Sequence, residues 1–147
     1  MKLIAHRGNV NGPHPLTENT PEKIESAIAA GYDVEIDIWY DEEGKLWLGH
    51  DEPQYKIEHS WLEPRREFLW IHCKDLTAAK ECWEYQAFCH SSDPYVYTST
   101  GKIWLHDLFN PSMKIDDDVI IPLMDDPDLY ILHNVEPYGV CTDYPSL

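Results

Sequence analysis

Basic residues are scarce. The chain of 147 residues holds 11 Lys and Arg against 27 Asp and Glu, a formal net charge of −16. Such a surface repels a phosphate backbone at long range, which argues against a nucleic-acid partner. A small phosphorylated ligand stays possible, because one cation or arginine reverses the sign inside a single pocket. Also missing is any apolar run near the ~20 residues that span a bilayer. The segment from Met1 to Arg7 has too short an apolar stretch for a signal peptide. The four cysteines (Cys73, Cys82, Cys89 and Cys141) form no Cys-x-x-Cys pair and no zinc-ribbon spacing. The expectation is therefore reduced, mostly buried thiols in a soluble, cytoplasmic protein without a transmembrane segment. No repeat or low-complexity stretch breaks the chain, and its 11 prolines are scattered. One domain over residues 1–147 is expected, and at this size roughly 70 % of the unfolded surface can be buried in one core.

The clearest local signal is a helix start at Thr20-Pro21-Glu22. It offers a hydroxyl N-cap, proline at the first helical position and an acid in the first turn. Ile24, Ala27 and Ile28 follow at i, i+3, i+4, and Gly31 suits the C-terminal stop. Residues 33–40 then alternate strictly. Val34, Ile36 and Ile38 share one face of a strand, and Asp33, Glu35 and Asp37 the other. Asp41-Glu42-Glu43-Gly44 reads as a hairpin turn into a strand over 45–50. A further strand is expected over 68–74, then a helix from about Leu76 to Gln86. Short apolar runs follow around Phe88, at 95–98, 103–105, 119–124, 129–132 and 139–142. Strand, helix, strand at the front points to parallel βαβ units.

Four groups of side chains carry candidate chemistry. His6-Arg7 closes the first strand. Glu35 and Asp37, two apart on one strand face, place carboxylates ~6–7 Å apart. On a solvated face they are ordinary; turned inward they need a cation, and oxygen donors suit Mg²⁺, Ca²⁺ or Mn²⁺. For the third group, His50-Asp51, a hairpin loop at 41–44 would set His50 opposite Glu35 and so on the acidic face. The fourth is His72 and Lys74, which share a strand face with Trp70 near that strand's C-terminal end. His72 also reads as a satisfied core histidine. Polar residues at the C-terminal ends of parallel strands are where barrel enzymes keep their active sites.

In order and spacing, His6-Arg7-Gly8, Glu18-Asn19-Thr20, Glu35-Ile36-Asp37-Ile38 and His50-Asp51 resemble the N-terminal pattern of glycerophosphodiester phosphodiesterases. Thr142-Asp143-Tyr144-Pro145, after an apolar strand, is similar to that family's C-terminal pattern. The resemblance covers about the first 75 residues and the last few, and it looks like a short variant of the wider phospholipase-like superfamily. It implies a TIM-type (β/α) barrel and metal-dependent cleavage of a small or lipid-derived glycerophosphodiester. By it, His6 and His50 match the acid/base histidines, and Glu35 and Asp37 match metal ligands. Arg7 and Lys74 match phosphate-binding residues, with Glu18 and Asp51 in support.

Two departures stand out. Where the family has a third acidic ligand this chain has His72; either the single divalent ion (Mg²⁺, Ca²⁺ or Mn²⁺ by the oxygen donors) then changes towards Mn²⁺, Zn²⁺ or Co²⁺, or Mg²⁺ binds more weakly through added water. And a full barrel takes ~250 residues, so a helix-depleted α/β barrel with a hairpin after its second strand is expected. Missing helices would bare the outer strand faces, and a homodimer would then cover part of them. Two alternatives remain: a phospholipase-D-like enzyme of the same fold that forms a cyclic phosphate, and an inactive barrel that binds a phosphorylated ligand or a protein.

Overall fold

The computed structural model describes residues 1–106, 114–124 and 136–147. Its strands are β1 (Lys2–His6), β2 (Asp33–Tyr40), β3 (Leu46–Leu48), β4 (Tyr55–Ile57), β5 (Leu69–Cys73), β6 (Ala87–Phe88), β7 (Tyr95–Tyr97), β8 (Ile103–Leu105), β9 (Val119–Pro122) and β10 (Gly139–Thr142). Three α-helices accompany them, α1 (Pro21–Ala29), α2 (His59–Leu62) and α3 (Leu76–Glu81), with a 3-10 helix at Glu63–Phe68. The fold is mixed α/β. Among the described residues no helix is long and apolar enough to cross a membrane.

All ten strands belong to one mixed sheet. Seven run parallel in the spatial order β6, β5, β2, β1, β10, β9, β8. The antiparallel pair β3–β4 extends from β2, and β7 pairs antiparallel with β8. No ladder among the described residues joins β6 to β7, the edge strand beyond β8, so the sheet is not closed. The gap between them is bridged otherwise. Ser99 N–H donates to the Ala87 carbonyl (2.8 Å), Ala87 N–H donates to Ser99 Oγ (2.9 Å), and Phe88 stacks on Trp104 at 4.2 Å.

Alternation divides the core. One cluster takes a residue from each of six parallel strands: Ile4, Trp70, Phe88, Trp104, Ile120 and Cys141. The opposite faces of β1, β2 and β5 present Ala5, Val34, Ile36, Ile38, Leu69 and Ile71 to Ile24 and Ala27 of α1 and Ala78 of α3. Helix α1 begins as its sequence dictates, with Thr20 Oγ1 accepting from Lys23 N–H at 3.2 Å.

Several expectations shift. Helix α3 ends at Glu81 rather than near Gln86, because the Gln86 carbonyl is committed to Ile71 N–H at 2.8 Å just before β6. Strand β4, helix α2 and the 3-10 helix went unread in the sequence. The run at 129–132 lies outside the described residues. Leu105, Val119, Ile121 and Val140 form a further buried cluster on β8, β9 and β10.

The β2–β3 hairpin is one residue out of the expected register. Ile38 faces Leu48 and Trp39 faces Trp47, so extrapolation would set His50 against Ile36, not Glu35. The strand stops first. At Gly49 the backbone turns with φ +155°, held by Gly49 N–H on the Asp37 carbonyl and Trp39 Nε1–H on the Gly49 carbonyl. β1 borders β2 only up to Glu35, and β3 pairs with β2 from Ile38 onward. The turn at Gly49 therefore brings His50 to Arg7, just past the end of β1.

Candidate active site

The parallel strands deliver their C-terminal ends to one place. β1 ends in His6 and leads into Arg7, β2 carries Glu35 and Asp37, β5 carries His72 with Lys74 just beyond, and β10 leads into Asp143. The tight turn after β1 puts Arg7 in the left-handed region at φ 55°, with its N–H on the Glu35 carbonyl at 2.9 Å. Asn19 also has positive φ, 64°, and its N–H donates to the Arg7 carbonyl. Two non-glycine residues in this conformation beside one cluster store strain that the surrounding bonds must hold.

The carboxylates lie deep, Glu35 only 4 % exposed and Asp37 1 %. Asn19 clamps Asp37, donating from Nδ2 to Oδ2 (3.0 Å) while its own Oδ1 accepts from Asp37 N–H (3.0 Å). Asp37 Oδ1 and Glu35 Oε1 are buried and have no hydrogen-bond partner. His72 Nδ1 lies 3.1 Å from Asp37 Oδ1 without forming a hydrogen bond. The other ring nitrogen explains this. His72 Nε2 is 3.2 Å from the His90 carbonyl, which can only accept, so Nε2 carries the proton and neutral His72 turns a lone pair towards Asp37. Lone pairs of Asp37 and His72 thus converge, and all three residues offer ligand atoms within 4.8 Å of one another. Two carboxylates and an imidazole fixed from its far side are a donor set that could hold a cation.

The electrostatics agree. Burial, then the Asp37 charge, pushes Glu35 well above the usual carboxylate range, against the pull of Arg7 and Lys74. Burial also acts against ionised Asp37, but without a cation His50 and His72, when they present N–H to it, and the Asn19 amide outweigh it and hold Asp37 low. A cation would remove the cost of charging Glu35.

The two candidate histidines are held in different tautomers. His6 Nδ1–H donates to Asp143 Oδ1 at 2.8 Å, which leaves Nε2 as the lone-pair atom, 3.6 Å from Glu35 Oε2. For His50 the arrangement reverses. Arg7 Nη2 donates to His50 Nδ1 at 2.8 Å, and a guanidinium cannot accept, so neutral His50 carries its proton on Nε2. Asp37 Oδ2 waits 3.7 Å from the same Nδ1.

Glu18 takes a supporting place, with Oε2 3.5 Å from Arg7 Nη1 and Oε1 accepting from Asn9 Nδ2. Asp51 contributes less: its side chain is 92 % exposed and lies 3.6 Å from His50 Nε2. Lys74 reaches over the Trp39 ring, 5.9 Å from its centre. Asp33, on the acidic face of β2 but at its far end, is tied to Lys2 and Trp70 Nε1 and stands apart from the cluster.

Asp143, Asn9 and Asn19 carry positioning roles that went unassigned in the sequence. Asn9 is fully buried and donates to both Asp143 (2.9 Å) and Glu18 (2.8 Å). The available signal for Asp143 was its place just after an apolar run, in Thr142-Asp143-Tyr144-Pro145. The chain matches no protein-family model and no curated protein sequence.

Proposed function

We propose that this chain is a metal-dependent phosphodiesterase of the glycerophosphodiester type, on a helix-depleted TIM-type barrel. The observation that carries the reading is the meeting of His6, Arg7, His50 and the Glu35–Asp37–His72 donor set at the C-terminal ends of parallel strands, with Glu35 Oε1 and Asp37 Oδ1 unpartnered. The barrel is supported by seven successive parallel strands, by an inner cluster drawing on six of them, and by the Ser99–Ala87 bonds across the remaining gap.

Phosphodiester cleavage needs charge neutralisation on the non-bridging oxygens, a proton acceptor for the nucleophile and a proton donor for the leaving alkoxide. Glu35, Asp37 and His72 would hold a divalent ion, which would supply Lewis-acid charge to those oxygens when bound. Arg7, aimed into the same space by Glu18, supplies a guanidinium with several donors. His6, fixed through Nδ1 by Asp143, offers Nε2 to take the nucleophile's proton. His50 is the proton donor. When a phosphate draws Arg7 away, His50 Nδ1 is freed to protonate against Asp37, and the resulting imidazolium gives its Nε2 proton to the leaving oxygen.

Phosphorus NMR of a glycerophosphodiester panel, with and without chelator, tests this reading. A phosphomonoester formed only with the metal supports it. A cyclic phosphate as end product would move the assignment to the cyclising alternative, and unchanged substrates in every metal would leave a binding protein. His6→Ala and His50→Ala should each lower turnover at least ~10²-fold.

A further inference from the structure

The face of β2 that carries the acids does not end with them. Asp33, Glu35 and Asp37 alternate onward to Trp39, and on β5 Trp70 and His72 alternate onward to Lys74. The two strands run in step, with Glu35 beside Trp70 and Asp37 beside His72. Lys74 N–H continues the ladder on the Ile38 carbonyl at 2.9 Å, which sets Trp39 next to Lys74, one rung beyond the donor set. The half-buried Trp39 indole then serves two neighbours with different parts of itself. Its ring lies under the Lys74 ammonium, with Nζ 5.9 Å from the ring centre. Its Nε1–H donates at 2.6 Å to the carbonyl of Gly49, the residue immediately before His50. Among the described residues no carboxylate pairs with Lys74 Nζ, so the ring is the contact that locates this ammonium.

We propose that Trp39 is a positioning residue for the site, whose indole N–H places His50 and whose ring face places Lys74. The roles of His50 and Lys74 in this inference rest on the phosphodiesterase reading; their placement by Trp39 does not. Each half has its own physical cause. The negative face of an indole attracts a cation, and a lysine stem held there loses less freedom when a phosphate arrives than one that wanders in solvent. The edge of the same ring works on the turn. Gly49 is tied to β2 by only one other bond between the two segments, its own N–H on the Asp37 carbonyl at 3.2 Å. Without the indole donor the Gly49 carbonyl is free to swing, and His50 swings with it, away from Arg7 Nη2. One side chain thus sets the spacing between the proposed proton donor and a phosphate-binding cation.

Two substitutions separate the halves. Trp39→Phe keeps a ring for Lys74 and loses the N–H, whereas Trp39→Leu loses both. Imidazole nitrogen-15 and lysine side-chain proton NMR of the metal-free full chain read the placement without any reaction. In Trp39→Phe the His50 nitrogens should move from a fixed Nε2-protonated state to tautomer-averaged positions, while those of His6 stay. The Lys74 ε-methylene protons, shifted upfield by the indole, should stay shifted in Trp39→Phe and move to the position of an exposed lysine in Trp39→Leu. On the glycerophosphodiester that wild type cleaves fastest, Trp39→Phe should lower kcat about tenfold with KM unchanged, and Trp39→Leu should also raise KM about fivefold. Unchanged His50 signals in a folded Trp39→Phe variant would overturn the proposal, as would identical kcat and KM in the two variants. Wild type alone also decides: an unshifted Lys74 ε-methylene, or a Trp39 indole proton that exchanges as fast as an exposed one, would overturn it even if neither variant folds. A wild type that cleaves no diester would count against the reaction and not against the placement, which the spectra settle by themselves.

Discussion

His6 Nδ1–H donates to Asp143 Oδ1 at 2.8 Å, a bond between side chains 137 positions apart. Burial acts against the Asp143 charge, but hydrogen bonds from His6 and Asn9 outweigh it and hold this carboxyl below its ordinary value. Asp143→Ala should free the His6 ring to take the other tautomer and lower kcat by about 10²-fold with little change in KM. Nitrogen-15 NMR of the imidazole distinguishes this from simple loss of structure: the His6 proton should move from Nδ1 to Nε2 in a folded variant. Retention of the wild-type tautomer would deny Asp143 its positioning role.

By the proposed function, His72 should decide the metal preference. His72→Glu adds a negative oxygen donor beside Asp37, and should shift the preferred ion from Mn²⁺ or Zn²⁺ towards Mg²⁺ or Ca²⁺. Activity and Tm measured across the four ions check this. A large fall in Tm with unchanged metal preference would make His72 a packing residue, whose ring stacks on Phe88 at 5.1 Å.

The pH dependence of stability should differ with and without metal. Glu35, raised by burial and by the Asp37 charge, contributes stability that is present below the unfolded glutamate value and lost as pH rises through its folded value. Metal-free protein should therefore lose about 3 °C or more of Tm between about pH 5 and 8, and added metal should remove the loss. His90 opposes this at the acid end, because burial and its histidine neighbours lower it, so its stability contribution falls as pH drops below its ordinary value. The Glu35 part is read from the difference between wild type and Glu35→Gln. Asp37 and Asp143, both held low, contribute stability that disappears only as pH falls below the ordinary aspartate range. Equal chelator profiles for wild type and Glu35→Gln would contradict the account.

Gly49 sets the position of His50. A Cβ there would collide with the Glu52 carbonyl oxygen, on a backbone whose φ is +155°. Gly49→Ala should cost about 1–3 kcal/mol and should depress turnover beyond that, since His50 moves off Arg7. Denaturant unfolding and kcat of the variant, measured below its Tm, separate the two effects.

How far the sequence could be read depended on how local the cause was. The acidic and apolar faces of β2 follow from alternation alone, and Thr20-Pro21 starts α1 where capping chemistry requires. The neighbourhood of His50 was foreseen through the wrong pairing. Hairpin arithmetic missed by one residue because Gly44 and the Asp41 side chain, which accepts from Glu43 and Lys45 N–H, set the turn. The turn at Gly49 then returned the histidine to the site. The Asp143–His6 bond and the His90–His106 ring contact depend on which strands become neighbours, which periodicity within a segment does not encode. Helix α3 was overextended because its apolar pattern continues into residues that β5 recruits for a ladder.

The pairing of β1 with β10 (Lys2 to Gly139 through Ala5 to Thr142) has a consequence for how the protein comes into being. The proposed cation ligands all lie between residues 35 and 72, whereas the partner that fixes the His6 ring comes from residue 143. A chain still emerging from the ribosome therefore carries every ligand of the acidic centre long before His6 can be oriented. Closing so long a loop is slow compared with forming local contacts. Ion capture would then come first in the life of each molecule, and chemical competence last, when the final strand docks beside the first.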